Sequence, residues 1–506
     1  MKTQFLLFIL CLGGLLAAPA SAWAAEPVEV RVELAHPKIP AQKQYKTYLK
    51  VGLVGLVRKE KPARPPVNVA IVLDRSGSMS GPKIEHARQA AVEALQRLGG
   101  DDIVSVVTFD DTAESVVPAT KMTNRADVIA AIQQITPRGR TALFAGVSRA
   151  ADEVRKFKLP QMVNRIVLLS DGMANIGPAS ADEMGRYGVS LAKESISVTT
   201  LGLGLEYNEK LLAQLAQHSD GNHAFIKEPG ELAAVFTEEF GDILSVVAQE
   251  MQVKIICPEG VRPVRVLGRD ASIRGGTVEV AMNQLRAGQE KYVLLEVDVP
   301  ASTTSTTQLI GDVEVSYRRN EASAPKLVTA HSLAIRVNDE KVVESSSNTP
   351  ILVEVAKQLG VEKQMIAVKL TDEGKTKEAE KLFLENAGTL QMLGQKYRSA
   401  ELYIQGNANV TLGNNTGSGS WQTYRNAGQT LANFTTSQNG SRNADSNIGI
   451  LNGSQTVNVP ALESMFNLPS RPSDLNIKLV EPPASIIMSL PQSTNGTIIL
   501  KPSGGR

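Results

Sequence analysis

Residues Ile71 to Gly81 read "IVLDRSGSMSG", a passage from apolar strand to polar loop. The apolar run ending at Leu73 meets Asp74, after which hydroxyls and glycines replace it within a few positions. A continuous, β-branched apolar run is what a strand covered on both faces requires. Alternate positions of an extended loop point the same way, so Asp74, Ser76 and Ser78 can aim three oxygens at one point. Similar runs recur at "VNVAIVL", "IVSVVTF", "RIVLLS" and "SISVTTLGLG". Helical periods separate them, as in "PKIEHARQAAVEALQRL", where Ile84, Ala87, Ala91, Leu95 and Leu98 share one face and Pro82 suits the first turn. Alternation of this kind over residues 67–245 predicts an α/β domain with a mostly parallel sheet and helices on both faces. Ligands of such sheets bind at the carboxyl ends of strands, where "DRSGSMSG" begins.

Two further residues belong with this stretch. Thr141 lies in "PRGRTALFAG" at the start of a helical period, and Asp171 follows "RIVLLS" in "SDGMAN". Asp74, Ser76, Ser78, Thr141 and Asp171 together supply two carboxylates and three hydroxyls. That hard, oxygen-only set suits magnesium or manganese, with calcium a further candidate, and suits zinc or copper poorly. The order Asp-x-Ser-x-Ser, Thr, Asp-Gly resembles the metal-ion-dependent adhesion site of the von Willebrand factor type A family. The resemblance covers about residues 67–245 and extends to the bacterial exported members and the chloride-channel-regulator branch. It implies a Rossmann-like fold in which the serines and threonine touch the ion and the aspartates often act through water. It also implies an open coordination position for an acidic group of a partner protein. The segment "GELAAVFTEEFGDILS" would be the last helix of the domain. Its apolar stripe reads as core.

The rest of the chain bounds the setting. Its 53 basic and 52 acidic residues nearly cancel, which gives no argument for a nucleic-acid partner. Lys2, the run "FLLFILCLGGLLAA" and the small residues of "APASAWAAEP" read as a signal peptide over residues 1–24, cleaved after Ala22 or Ala24. A periplasmic or secreted protein with no transmembrane segment in the mature chain is therefore expected. Cys257 would be the single cysteine left, which excludes a disulfide framework.

Around the α/β domain the period changes. Residues 25–66 and 246–340 carry short alternating strands, read as two parts of one β-sandwich into which the α/β domain is inserted. Residues 348–405 read as a helical hairpin, and 406–506, rich in Asn, Gly, Ser and Thr, as a largely disordered tail. The expected function is a metal-dependent protein-binding module, without enzyme activity, whose ion captures a partner's carboxylate. A structural surface or filament adhesin is the alternative, and a metal-dependent hydrolase a more distant one. None of these features sets the oligomeric state. The five histidines form no His-Glu-x-x-His motif, and no full Gly-x-x-x-x-Gly-Lys-Ser/Thr phosphate loop is present.

Overall fold

The computed structural model describes residues 27–57, 64–159, 162–204, 207–302, 306–319, 325–426 and 428. The signal-peptide reading and the tail beyond 428 lie outside the described residues. The chain divides into two compact units, one running to Ser347 and the other starting at Asn348.

The first unit opens with β1 (Val28–Leu34), β2 (Lys38–Pro40) and β3 (Tyr45–Gly55). The chain then enters the α/β domain through β4 (Val67–Asp74), α1 (Pro82–Leu95), β5 (Ile103–Phe109), β6 (Ala113–Lys121), α2 (Arg125–Gln133) and α3 (Leu143–Arg155). It continues through β7 (Val163–Ser170), α4 (Ala181–Lys193), β8 (Ile196–Leu203), α5 (Glu209–His218), β9 (His223–Ile226) and α6 (Leu232–Ile243). The strand order is β6-β5-β4-β7-β8-β9. All neighbours are parallel except the β5–β6 hairpin. That hairpin turns at Asp110, whose Oδ1 accepts from the Thr112 amide at 3.0 Å.

Every residue of β4, β5, β7 and β8 is buried, the reason these strands read as mostly apolar and without polar alternation. Alternation then divides them between two cores. Val69, Ile71 and Leu73 join Ile84, Ala87 and Ala91 of α1 and Phe236 and Phe240 of α6. Ala70 and Val72 face Val147 and Ala150 of α3 and Leu211, Leu212 and Leu215 of α5. The order reverses between β4 and β7, so the carboxyl ends of those strands open onto the crevice where doubly wound sheets bind ligands.

After α6 come β10 (Val246–Ile256), β11 (Arg262–Leu267), β12 (Ser272–Arg274), β13 (Thr277–Arg286), β14 (Glu290–Val299), β15 (Thr307–Arg319), β16 (Lys326–Val337) and α7 (Glu340–Ser345). They form two sheets, β1-β3-β14-β11 and β12-β13-β10-β15-β16-β2. β3 pairs along its length with β14, from Tyr45 opposite Val299 to Val54 opposite Glu290. Strands from both sides of the α/β domain thus share sheets, and Val51, Leu53, Val293, Val253, Ile255 and Val313 share one core. The α/β domain is an insertion in a β-sandwich.

The amino edge of the parallel sheet rests on this sandwich through buried polar contacts. Asp220, in the turn after α5, takes Lys291 at 2.6 Å, Arg269 at 3.0 Å and the Asn283 amide at 2.7 Å. Burial alone would raise Asp220, but the charges of Lys291 and Arg269 outweigh it and hold the carboxyl well below its usual range. Burial brings Lys291 down to about 8 against the pull of Asp220. Arg165 donates to Gln284 at 2.8 Å and lies 3.5 Å from Glu239 of α6. Arg286 pairs with Asp242.

The second unit corrects the reading of 406–506 as tail from its start. It holds α8 (Thr349–Asp372), α9 (Thr376–Tyr397) and a third helix, α10 (Ala400–Asn414). Ser399 caps α10 by accepting from the Leu402 amide. Composition misleads here because the polar and small residues are the packing face. A Cβ on Gly406 would stand 2.7 Å from Gln391 Cγ, and Asn409 is fully buried between Gln364 and Asn386. Trp421 packs edge-on to Phe383.

Candidate metal centre

Backbone hydrogen bonds bring three loops to the carboxyl edge of the parallel sheet. After β4 the chain makes a 3-10 turn, Gly77–Met79, and enters α1 through Gly81, whose φ of 73° is left-handed and favours glycine. Gly77 N donates to Gly139 O at 3.1 Å and Arg138 N to Arg75 O at 2.6 Å, fastening the loop that carries Thr141. Thr141 N donates to Asn175 Oδ1 at 3.0 Å and Asn175 N returns to Thr141 O at 3.2 Å, fastening the loop after β7.

The side chains converge accordingly. Ser76 Oγ and Ser78 Oγ are 3.0 Å apart, and Ser78 Oγ donates to Asp171 Oδ1 at 2.7 Å. Thr141 reaches the same place across Gly172, where a Cβ would stand 3.2 Å from Thr141 Oγ1 and 3.5 Å from Ser78 Oγ. Asp74 lies at the base, with Oδ1 accepting from Ser76 N at 2.8 Å and Oδ2 from Ser170 Oγ at 2.6 Å. All five residues singled out in the sequence therefore meet at one locus.

At its base, Asp74 is a buried carboxylate held by hydroxyl and amide donors. Burial pushes Asp74 up to about 6 and the negative Asp171 adds to this, against hydrogen bonds from Ser170 and Ser76. A hard divalent cation fits such a donor set, since it supplies the missing charge and accepts neutral hydroxyl oxygens as ligands. Among the described residues, no three His, Cys, Asp or Glu side chains are grouped to hold a metal ion, so any ion here depends on the hydroxyls.

Three residues of this edge were not singled out from the sequence. Ser170 orients Asp74, Asn175 holds the Thr141 loop, and Lys83 Nζ donates to Asp171 Oδ2 at 2.5 Å. Ser170 could have been found as the residue that closes the apolar run Ile166 to Leu169, directly before Asp171. Neighbouring basic residues are engaged elsewhere. Arg75 and Arg138 hold Asp110 at 2.9 and 2.7 Å, and Arg140 holds Asp111 at 2.7 Å. Burial acts to raise Asp110, but the bonds from Arg138, Thr112 and Arg75 bring it down to about 2.

The oxygen cluster lies at the switch point of a doubly wound α/β sheet, the place where sheets of this class bind ligands. Residues 68–238 match the family model of the von Willebrand factor type A domain, and the chain carries such a domain. Domains of this family generally mediate protein–protein interaction and commonly bind a divalent metal. Over 264 residues the chain is 28% identical to the uncharacterized protein sll0103 of a Synechocystis strain, covering 50% of this chain and 62% of that one. It is 23% identical over 310 residues to the E3 ubiquitin-protein ligase WAV3 of Arabidopsis thaliana, covering 59% and 39%. The chain thus spans less than two thirds of either curated relative. The fold is also that of a von Willebrand factor type A protein from Catenulispora acidiphila, with a TM-score of 0.62 at 16% identity over 75% of this chain and 90% of that one. No helix of the described residues is long and apolar enough to cross a membrane.

Proposed function

We propose that the chain is an exported protein-binding module in which Asp74, Ser76, Ser78, Thr141 and Asp171 hold one magnesium or manganese ion that captures a carboxylate of a partner protein. The observation that carries this reading is the convergence of hydroxyls and carboxylates from three loops, summarised by Ser78 bridging Ser76 and Asp171. Ser76, Ser78 and Thr141 would touch the ion, while Asp74 and Asp171 anchor it directly or through water. The neutral hydroxyls leave the bound ion electrophilic, which is what capture of an anionic ligand requires. Export rests on the sequence of residues 1–24.

A binding role without catalysis is supported by where the histidines stand. His36 pairs with Thr47, His86 with Pro82 O, His218 with Asp270, His223 with Thr200 and His331 with Asp312. The site hydroxyls instead pair with one another and with Asp171, and among the described residues no bond joins Ser76, Ser78 or Thr141 to a histidine. The test is retention of envelope proteins by the immobilised chain with magnesium, with chelator, and with Thr141→Ala. Retention lost in the last two is expected. The same proteins retained in all three would defeat the metal-capture reading.

A further inference from the structure

Lys83 occupies an unusual place for a cation. It is the second residue of α1, whose N-terminus carries the positive end of the helix dipole and disfavours a further positive charge. What offsets this is the bond to Asp171, whose side chain is fully buried while that of Lys83 is about one third exposed. Asp171 Oδ1 is engaged by Ser78, so Lys83 holds the second oxygen of the carboxylate, Oδ2. The arginines at this edge are bonded to Asp110 and Asp111, leaving Lys83 as the cation bonded to the oxygen cluster among the described residues.

Resting on the reading of that cluster as a divalent-ion site, we propose that Lys83 is a tethered counter-cation that competes with the ion for Asp171 and, once displaced, pairs with the captured carboxylate. Two cations cannot share one buried carboxylate without strong repulsion. Lysine is suited to yield, because its charge sits on a flexible stem and a part-exposed ion pair costs little to open. With the metal in place, the ion balances Asp74 and Asp171, and the released ammonium leaves the rim with one net positive charge. Lys83 therefore lowers the metal affinity of the free protein and raises the affinity of the loaded protein for an acidic ligand. Metal and partner binding become mutually reinforcing, since each favours the swung-out lysine.

The experiment titrates Mn2+ into the full chain by calorimetry, comparing wild type, Lys83→Met, which keeps the stem and loses the charge, and Lys83→Arg. Circular dichroism melting establishes that each is folded. Removing the competing charge is expected to tighten Mn2+ binding roughly five-fold, the scale of a part-exposed ion pair, while Lys83→Arg, which keeps the charge, binds Mn2+ no more tightly than wild type. Acetate, followed by Mn2+-induced relaxation of its methyl protons, is expected to bind the loaded Lys83→Met protein more weakly than loaded wild type. Mn2+ binding that is unchanged or weaker in Lys83→Met, with wild type binding normally, overturns this inference alone, and so does equal acetate affinity. No Mn2+ binding by any of the three proteins overturns the metal reading and this inference with it.

Discussion

Ser78 Oγ donates to Asp171 Oδ1 at 2.7 Å, joining the loop after β4 to the loop after β7 across 93 positions of sequence. That bond spans the switch point of the sheet and makes one locus of two strand ends. The same carboxyl edge holds Ser170, bonded to Asp74 at 2.6 Å. Because Ser170 fixes a carboxylate without itself belonging to the proposed ligands, Ser170→Ala is expected to weaken Mg2+ or Mn2+ binding by about ten-fold. Calorimetric titration measures it, and thermal melting should show the fold retained.

Asp220, Lys291 and Arg269 tie the inserted domain to the sandwich. Lys291→Met leaves a buried carboxylate with less compensation and is expected to cost about 3 kcal/mol in denaturant unfolding. Asp220→Asn combined with Lys291→Met removes both charges of that pair, while taking the Asp220 carboxylate from Arg269, and should recover part of that loss. A double variant as unstable as the sum of the singles would show that the pair does not act as a unit.

Burial brings His36 and His223 down to about 4 from an ordinary value of 6.5. Below pH 6.5 the unfolded chain takes up these protons before the folded one does. The stability that depends on neutral rings is therefore full above pH 6.5 and is lost as pH falls from 6.5 to 4. His218, held above its ordinary value by Asp270, works in the opposite sense and loses its contribution as pH rises through its folded value. For His223, bonded to Thr200 and near Tyr207, the acid loss is about 3 kcal/mol when complete. Urea midpoints at pH 7 and pH 5 should differ less in His223→Gln than in wild type.

In the second unit, Asn409 donates to Gln364 at 3.2 Å and to Gln405 O at 2.8 Å, and its Oδ1 accepts from Asn386 at 3.0 Å. Asn409→Ala leaves those buried groups without their partner and should cost about 2 kcal/mol. Hydrogen exchange gives a second reading, because amides within 400–414 are expected to be protected in wild type and to lose protection in the variant.

The inserted α/β architecture was legible because buried parallel strands leave continuous apolar runs, and because a strand ending in Asp-x-Ser-x-Ser is a short, local signal. Thr141 and Asp171 were legible as strand-end or helix-start residues of matching chemistry. Lys83 was not, since a lysine in the first turn of an amphipathic helix reads as solvated, and only the fold brings it to Asp171. The Asp220 network was hidden for a similar reason: its members come from positions 220, 269, 283 and 291, each unremarkable locally. α10 was missed because glycine and asparagine signal disorder by composition, whereas here Gly406 and Gly413 permit close helix contact and Asn409 supplies the buried bonds.

In the proposed function, five side chains on three loops form one divalent-ion site. Crystals of the full chain grown with Mn2+ and measured for anomalous scattering test it most directly. An anomalous peak is expected within coordination distance of Ser76 Oγ, Ser78 Oγ and Thr141 Oγ1, absent in Asp171→Ala. A map of the wild type at saturating Mn2+ with no peak at that locus, or with its peaks only elsewhere, would contradict it.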